Sequence, residues 1–216
     1  MREPTSSQLE RWKGEFGKEY TDRNALTLEQ TDKLYKKNYG ITGTELYEEF
    51  IGDLERPIKI LEVGSNIGNK LLMLQRMGFK HLYGIEINSY AIERAKTNTT
   101  GINIIQASAF DIPFKDGYFE LVFTSGVLIH ISPADIKRAL SEIYRCSKKY
   151  IWGFEYYADT YTKVRYREQD NLLWKTDFAG LYLNFFDDLE LVKEKRLKYL
   201  ENENIDTMFL IRKRNG

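Results

Sequence analysis

The amino-acid sequence predicts an α/β fold, with a mostly parallel sheet of seven strands and helices on both faces of the sheet. From Pro57 onward, short apolar runs rich in β-branched residues alternate with segments of helical periodicity, which is the pattern of a parallel sheet. The last two apolar runs, residues 189–197 and 206–212, are separated by polar residues and predict an antiparallel C-terminal hairpin.

Cap and turn signals place the individual elements. Thr27 with Gln30 and Thr42 with Glu45 match capping boxes, so two helices are predicted before the first strand. Residues 1–56 are therefore predicted to form an N-terminal helical cap, and residues 57–216 the α/β domain. The predicted strands are 58–63, 81–87, 102–107, 119–125 and 149–154, and the predicted helices are about 68–77, 89–97 and a helix opened by Ser132-Pro133.

Composition excludes several classes of protein. Lys+Arg and Asp+Glu are each 32 among 216 residues, so no net charge favours binding to nucleic acid or to an anionic membrane. The single Cys146 cannot form an internal disulfide, and no segment resembles a signal peptide or a membrane span. We expect a cytoplasmic protein, either a monomer or a homodimer, and we expect no metal because no spaced His/Cys cluster occurs.

The first predicted strand ends in a loop that favours nucleoside binding. Residues 62–68 read E-x-G-x-x-x-G, with Asn66 where a dinucleotide fold carries the glycine that lets the backbone approach a pyrophosphate. A nucleoside without phosphate fits this loop better. The predicted contacts are Glu62, Gly64, Ser65, Asn66 and Gly68. The alternative is an ordinary strand-to-helix turn.

Glu86 ends the second predicted strand, 24 positions after Glu62, and is followed by Ile87. A carboxylate at this strand tip accepts hydrogen bonds from both hydroxyls of a ribose. Glu86 and Ile87 are therefore predicted nucleoside contacts. The alternative is that Glu86 stabilises the N-terminus of the helix beginning near Ser89.

These two loops, together with residues 106–122, resemble the Rossmann-like (class I) S-adenosylmethionine-dependent methyltransferases over about residues 58–155. The resemblance implies S-adenosylmethionine as cofactor and S-adenosylhomocysteine as product. It places the adenine near Ser108, Ala109 and Phe110, and adds Ser125 to the cofactor contacts. Members often carry an acid at the position of Ser108, so we expect this contact to be weaker or to use the backbone of Ala109 and Phe110.

The N-terminal segment 12–24 resembles methyltransferases associated with pseudaminic acid biosynthesis. This resemblance implies a small-molecule acceptor that is a carboxylated sugar, with Tyr20 and Arg23 closing over the cofactor and Arg23 pairing its carboxylate. The alternative is an aromatic staple with surface charges.

The acceptor side is predicted from two further segments. His130 follows the fourth strand and is the candidate catalytic base, although an isolated histidine is often only a hydrogen-bonded loop residue. An aromatic insertion at about 156–188 offers the candidate substrate contacts Tyr156, Tyr157, Arg165 and Trp174. The insertion alternatively serves a dimer contact, with a solvated helix over residues 159–170.

The sequence predicts direct methyl displacement, in which the protein mainly aligns donor and acceptor. Two other classes remain open: a nicotinamide-dependent sugar enzyme and a non-catalytic nucleoside-binding protein.

Overall fold

A computed structural model of the chain describes residues 7–167 and 169–214. Within them, a seven-stranded sheet has the strand order β3-β2-β1-β4-β5-β9-β8, and a separate two-stranded hairpin pairs β6 with β7. The strands are β1 Lys59–Val63, β2 His81–Glu86, β3 Asn103–Gln106, β4 Phe119–Ser125, β5 Ser147–Tyr156, β6 Thr162–Tyr166, β7 Gln169–Lys175, β8 Leu189–Lys198 and β9 Ile205–Lys213.

Strand pairing confirms the predicted α/β fold. Strands β1 to β5 pair in parallel, whereas β9 is antiparallel to both β5 and β8. The carboxyl ends of the parallel strands therefore meet at one edge of the sheet, where open α/β sheets bind ligands. Since β9 runs in the opposite direction, its first residues lie at this same edge, with Asp206 opposite Tyr156.

Helices cover both faces of the sheet. The described α-helices are α1 Ser7–Lys13, α2 Glu15–Arg23, α3 Leu28–Tyr39, α4 Gly43–Ile51, α5 Asn69–Arg76, α6 Ser89–Asn98, α7 Ile136–Cys146 and α8 Phe178–Phe185. Both predicted capping boxes are present, at the starts of α3 and α4. Four helices, rather than the predicted two, precede β1, because α1 and α2 form without a side-chain cap at Gly14, which separates them.

The core consists of two buried clusters, one on each face of the sheet. Successive residues of β1 point to opposite faces, so Ile60 joins one cluster and Leu61 the other. Helix α4 contributes Tyr47 to the cluster of Ile60, where its ring meets that of Trp152 from β5 at a centroid distance of 4.6 Å. The predicted boundary between residues 56 and 57 thus separates elements that share one core.

The predicted insertion contains a β-hairpin where one of the alternatives expected a solvated helix. The described residues of this range, 159–167 and 169–170, do not form a solvated helix, because β6 and β7 pair antiparallel there. Helix α8 follows, with the side chain of Asp177 accepting a hydrogen bond from the Gly180 N–H as its N-cap. The hairpin and α8 pack Leu173 and Phe178 against the core cluster of Leu61.

Candidate active site

A cavity of about 360 Å³ lies at the carboxyl edge of the sheet. Its size falls in the range of small-molecule sites. The residues that line it come from the end of β1 and the loop after it, from the ends of β2 to β5, from the start of β9, from helices α1 to α3 and from the start of α5. The predicted residues among them are Glu62, Gly64, Ser65, Asn66, Glu86, Ile87, Ser108, Ala109, Phe110, Ser125, Tyr20, His130 and Tyr156.

The loop after β1 has a backbone that only a few residue types adopt readily. Gly64 has φ 75°, and a Cβ at this position would lie 2.6 Å from Val127 Cγ2, so glycine allows the loops after β1 and β4 to touch. Asn66 has φ 47°, which asparagine tolerates better than most residues. The predicted residue Gly68 does not line the cavity; it precedes α5 and faces Thr99 and Ile104.

Glu86 organises the backbone between the first two strands. Its Oε2 accepts from the Asn66 N–H at 2.9 Å, and its Oε1 accepts from the N–H groups of Ile87 at 2.7 Å and Asn88 at 2.9 Å. Burial raises the pKa of Glu86, while these three donors act in the opposite direction. The side chain of Asn88, and not Glu86, caps α6 by accepting from Tyr90 N–H and Ala91 N–H.

Three buried polar atoms at the end of β1 and in the loop after it have no hydrogen-bond partner. They are Glu62 Oε2, Ser65 Oγ and Asn66 Oδ1, and all three residues line the cavity. Burial raises the pKa of Glu62 well above its ordinary value, with Lys70 opposing the shift. Since buried polar groups are normally hydrogen-bonded, unpartnered donors and acceptors beside a cavity fit a polar ligand such as the amino-acid and ribose parts of S-adenosylmethionine.

The side chain of Ser108, at the predicted adenine position, already accepts a hydrogen bond from the protein. Ser108 Oγ accepts from the Phe110 N–H at 3.1 Å, so it stabilises its own turn. Ala109 and Phe110 also line the cavity. The Ser108 side chain is thus occupied within its own turn, and adenine contacts through the backbone of Ala109 and Phe110 stay a prediction.

The cap helices α1 and α2 close the cavity through aromatic residues. The rings of Trp12 and Tyr20 lie 5.2 Å apart, and both line the cavity. Arg23 does not line it: its guanidinium lies 3.4 Å from Glu19 on the same helix. The side-chain amide of Asn88 donates to Trp12 O at 2.8 Å and thereby ties the cap to the start of α6.

His130 is half-buried beneath the cap. Its Nδ1 lies 2.7 Å from the carbonyl oxygen of Leu172, and its ring lies 4.5 Å from that of Trp12. Burial lowers the pKa of His130 to about 4, so the ring is neutral near pH 7. A neutral ring that donates from Nδ1 to Leu172 keeps Nε2 as a hydrogen-bond acceptor.

Most residues predicted from the insertion lie outside the cavity. Tyr157 donates to Asp159 at 2.7 Å and lies under the guanidinium of Arg196 at 4.0 Å. Arg165 is exposed on β6, and Trp174 is buried on β7 without lining the cavity. The structure brings Tyr156 alone of these four predicted contacts to the cavity.

Two buried carboxyl groups of the cavity were not predicted from the sequence. Glu155 accepts from the Val127 N–H at 3.1 Å, and burial raises its pKa to about 7. Asp206 lies at the start of β9 and accepts from the hydroxyl of Tyr199 at 3.0 Å. For Glu155, an acid between two aromatic residues at a strand end was the available signal. Asp206 has no such signal, and only the strand order shows that β5 and β9 are neighbours.

A comparison with known protein families finds a match in the central segment of the chain. Residues 61–150 match the family model described as "Methyltransferase domain". This segment, 90 of the 216 residues, is similar to that family. It contains the loop after β1, Glu86 and the predicted adenine turn, and the match supports S-adenosylmethionine as the cofactor.

Whole-chain comparisons support the Rossmann-like methyltransferase fold. A chain of the complex between the Trm112 methyltransferase activator of Haloferax volcanii and a methyltransferase has TM-score 0.71 at 15% identity, covering 97% of this chain and 98% of that chain. The 1,6-didemethyltoxoflavin-N1-methyltransferase of Burkholderia thailandensis, with bound S-adenosylhomocysteine, has TM-score 0.67 at 12% identity, covering 99% and 93%.

A sequence relative is the phosphoethanolamine N-methyltransferase of Plasmodium falciparum, 25% identical over 136 residues, which cover 60% of this chain and 50% of that protein. The chain spans about half the length of the curated relatives it matches, or less. Among residues 7–167 and 169–214, we find neither a helix long and apolar enough to cross a membrane nor a cluster of metal-ligating side chains.

Proposed function

We propose that this chain is an S-adenosylmethionine-dependent methyltransferase that acts on a small-molecule acceptor. The observation that carries the proposal is the set of unpartnered buried polar atoms on Glu62, Ser65 and Asn66, which line one cavity with Glu86. These atoms lie at the ends of β1 and β2, inside the segment that matches the methyltransferase domain. When bound, the cofactor would supply a methyl group carried on a positively charged sulfur: the nucleophile of the acceptor would bond to the methyl carbon as the S–C bond breaks, with S-adenosylhomocysteine as the leaving group.

Different residues of the cavity would hold different parts of the cofactor. The Glu86 carboxylate would accept from ribose hydroxyls, because each carboxylate oxygen has more than one acceptor site. Glu62 would bind the amino group of the methionine part, since an ammonium stabilises a buried carboxylate. Ala109 and Phe110 would contact the adenine, while Tyr20 would cover the cavity and exclude water.

The acceptor side would depend mainly on alignment. His130 is the proposed base: its neutral ring can accept the acceptor's proton at Nε2 while Nδ1 stays bound to Leu172 O. With a pKa of about 4, His130 would assist by accepting a hydrogen bond more than by holding a proton. Glu155 fixes the backbone of the loop that carries His130.

The comparisons do not support the pseudaminic-acid acceptor that the N-terminal segment suggested. The charges of the site also disfavour a carboxylated acceptor. Among the described residues that line the cavity, Glu62, Glu86, Glu155 and Asp206 carry carboxyl groups, and Lys70 carries an ammonium. A neutral or cationic acceptor therefore fits the cavity better than an acidic sugar.

Isothermal titration of ligand-free protein with S-adenosylmethionine, and in parallel with NADH, tests the proposal. We expect binding of S-adenosylmethionine alone, and a loss of about tenfold or more in the Glu86→Gln variant, because an amide NH₂ replaces one acceptor oxygen. Glu142→Gln is the matched control: Glu142 also accepts a backbone N–H, from Ile112 at 2.8 Å, but lies outside the cavity.

Folded wild-type protein that binds no S-adenosylmethionine would contradict the proposal. Binding of NADH instead would favour the nicotinamide-dependent alternative. Equal losses in both variants would show that Glu86 acts through the fold and not at the ligand.

A further inference from the structure

The cavity continues beyond the part assigned to the cofactor. In the sheet order, β3 and β2 lie on one side of β1, whereas β4, β5 and β9 follow on the other side. Ser108 and Glu86 therefore line one end, and Tyr156 and Asp206 line the opposite end. A cofactor held by Glu86 and Glu62 leaves this second end for the acceptor.

Asp206 is a buried carboxyl with one engaged oxygen and one free oxygen. Its Oδ2 accepts from the hydroxyls of both Tyr39 and Tyr199, the latter at 3.0 Å. Its Oδ1 has no hydrogen-bond partner, although Asp206 is only 2% exposed. A buried carboxylate oxygen without a partner is costly, so the two tyrosines hold a group that needs a donor from a ligand.

Aromatic rings surround the same end of the cavity. The ring of Tyr39 lies 4.9 Å from that of Tyr199, 5.6 Å from that of Tyr35 and 6.0 Å from that of Phe154, and all four residues line the cavity. Aromatic faces attract cations, and the attraction grows when the cation is removed from water. The combination of ring faces and a carboxyl group favours a cation over a neutral donor.

The neighbouring lysine does not take the free oxygen. Burial raises the pKa of Asp206 to about 6, and Lys175 lies near enough to oppose that shift. The Lys175 ammonium donates to Asn204 Oδ1 at 2.5 Å and lies over the Tyr156 ring at 5.1 Å. Asp206 Oδ1 thus remains available to a ligand.

We propose that Asp206, held by Tyr39 and Tyr199, binds an amino group of the methyl acceptor, so that the acceptor is an amine. This inference rests on the proposed methyltransferase function and adds the acceptor class. A hydroxyl would satisfy the carboxylate oxygen but would gain nothing from the rings or from the excess of carboxyl groups. A carboxylated acceptor would meet like charge at Asp206.

The test uses protein loaded with S-adenosylhomocysteine and three probes of similar shape: phenethylamine, phenethyl alcohol and hydrocinnamate. Titration calorimetry first establishes S-adenosylhomocysteine binding and then measures the affinity for each probe. We expect phenethylamine to bind about tenfold or more tightly than the other two, as a charge-assisted hydrogen bond requires. In Asp206→Asn, the amide NH₂ repels an ammonium, so the preference should disappear while S-adenosylhomocysteine binds as before.

Asp188→Asn is the matched control. Asp188 also accepts from a tyrosine hydroxyl, that of Tyr144 at 3.0 Å, but lies away from the cavity, so this variant should keep the preference. Equal affinities for the three probes, no binding of the amine, or a preference that survives in Asp206→Asn would overturn the inference. If Asp206→Asn does not fold, the affinities of the three probes for the wild-type protein still test the inference. Absence of S-adenosylhomocysteine binding would instead refute the proposed function.

Discussion

At the residue scale, burial of His130 predicts a pH-dependent loss of stability. The unfolded chain takes up a proton at this side chain below about pH 6.5, whereas the folded protein keeps the ring neutral until about pH 4. Below pH 6.5 the unfolded state therefore binds more protons, and the free energy of unfolding falls as the pH falls toward 4. The contribution of His130 to this loss is about 3 kcal/mol.

The variant His130→Asn isolates this effect, because asparagine keeps an N–H donor for Leu172 O but does not titrate. Urea unfolding between pH 7 and 4 should show a shallower loss of stability in the variant. The exposed His81 provides the control, and His81→Asn should retain the wild-type slope. Identical slopes in wild type and His130→Asn would show that His130 takes up its proton at the same pH in the folded and unfolded states, which would contradict the prediction.

Residues in continuous motifs were predictable, whereas those brought together by strand order were not. Glu62 and Glu86 each end a strand whose pattern is visible in the sequence, and the structure places both at the cavity. Arg23 was predicted from the resemblance of segment 12–24 to a methyltransferase family, but helical spacing places it four residues after Glu19, with which it pairs. Asp206 becomes a cavity residue only because β9 pairs with β5.

At the scale of elements, the cap helices are held on the sheet by close packing at Gly17. A Cβ at this position would lie 2.0 Å from Trp12 O and 2.5 Å from Asn88 Nδ2, the atoms that join the cap to α6. Gly17→Ala should therefore displace α1 from α2 and α6. Since Trp12 and Tyr20 line the cavity, we expect S-adenosylmethionine to bind at least about tenfold more weakly.

Gly14→Ala is the control in the same segment. An added Cβ there meets its first neighbour at 3.3 Å, the carbonyl oxygen of Glu10, so a small shift relieves the contact. Calorimetric titration of both variants measures the difference. If both bind the cofactor as the wild type does, the cap does not contribute to cofactor binding.

Elements with local signals were predicted, and elements that depend on tertiary contacts were not. The capping boxes of α3 and α4 are complete within four residues, so the sequence alone defines both helix starts. Helix α2 begins without a side-chain cap and relies on packing against α6. In the β6–β7 hairpin, Val164 and Tyr166 pack against the core while Arg165 is exposed, a strand alternation too short to be distinguished from a polar helix by pattern.

At the scale of the whole molecule, the cavity joins parts of the chain that are far apart in sequence. Its lining extends from Gln8 on α1 to Asp206 on β9. A ligand that contacts the sheet edge and the cap together can bind the folded state but not the unfolded chain. Ligand binding should therefore stabilise the whole fold and reduce the opening of the cap most strongly.

We expect S-adenosylhomocysteine at 100 times its dissociation constant to stabilise the protein by about 2.7 kcal/mol, which raises the melting temperature by roughly 5–10 °C for a chain of this size. Hydrogen exchange should slow more in α2, which lines the cavity through Gly17, Tyr20 and Thr21, than in α4, which does not line it. The Glu86→Gln variant at the same ligand concentration should show a smaller shift. Equal protection of α2 and α4 would mean that the ligand slows exchange only by suppressing global unfolding, and that the cap does not close over the ligand.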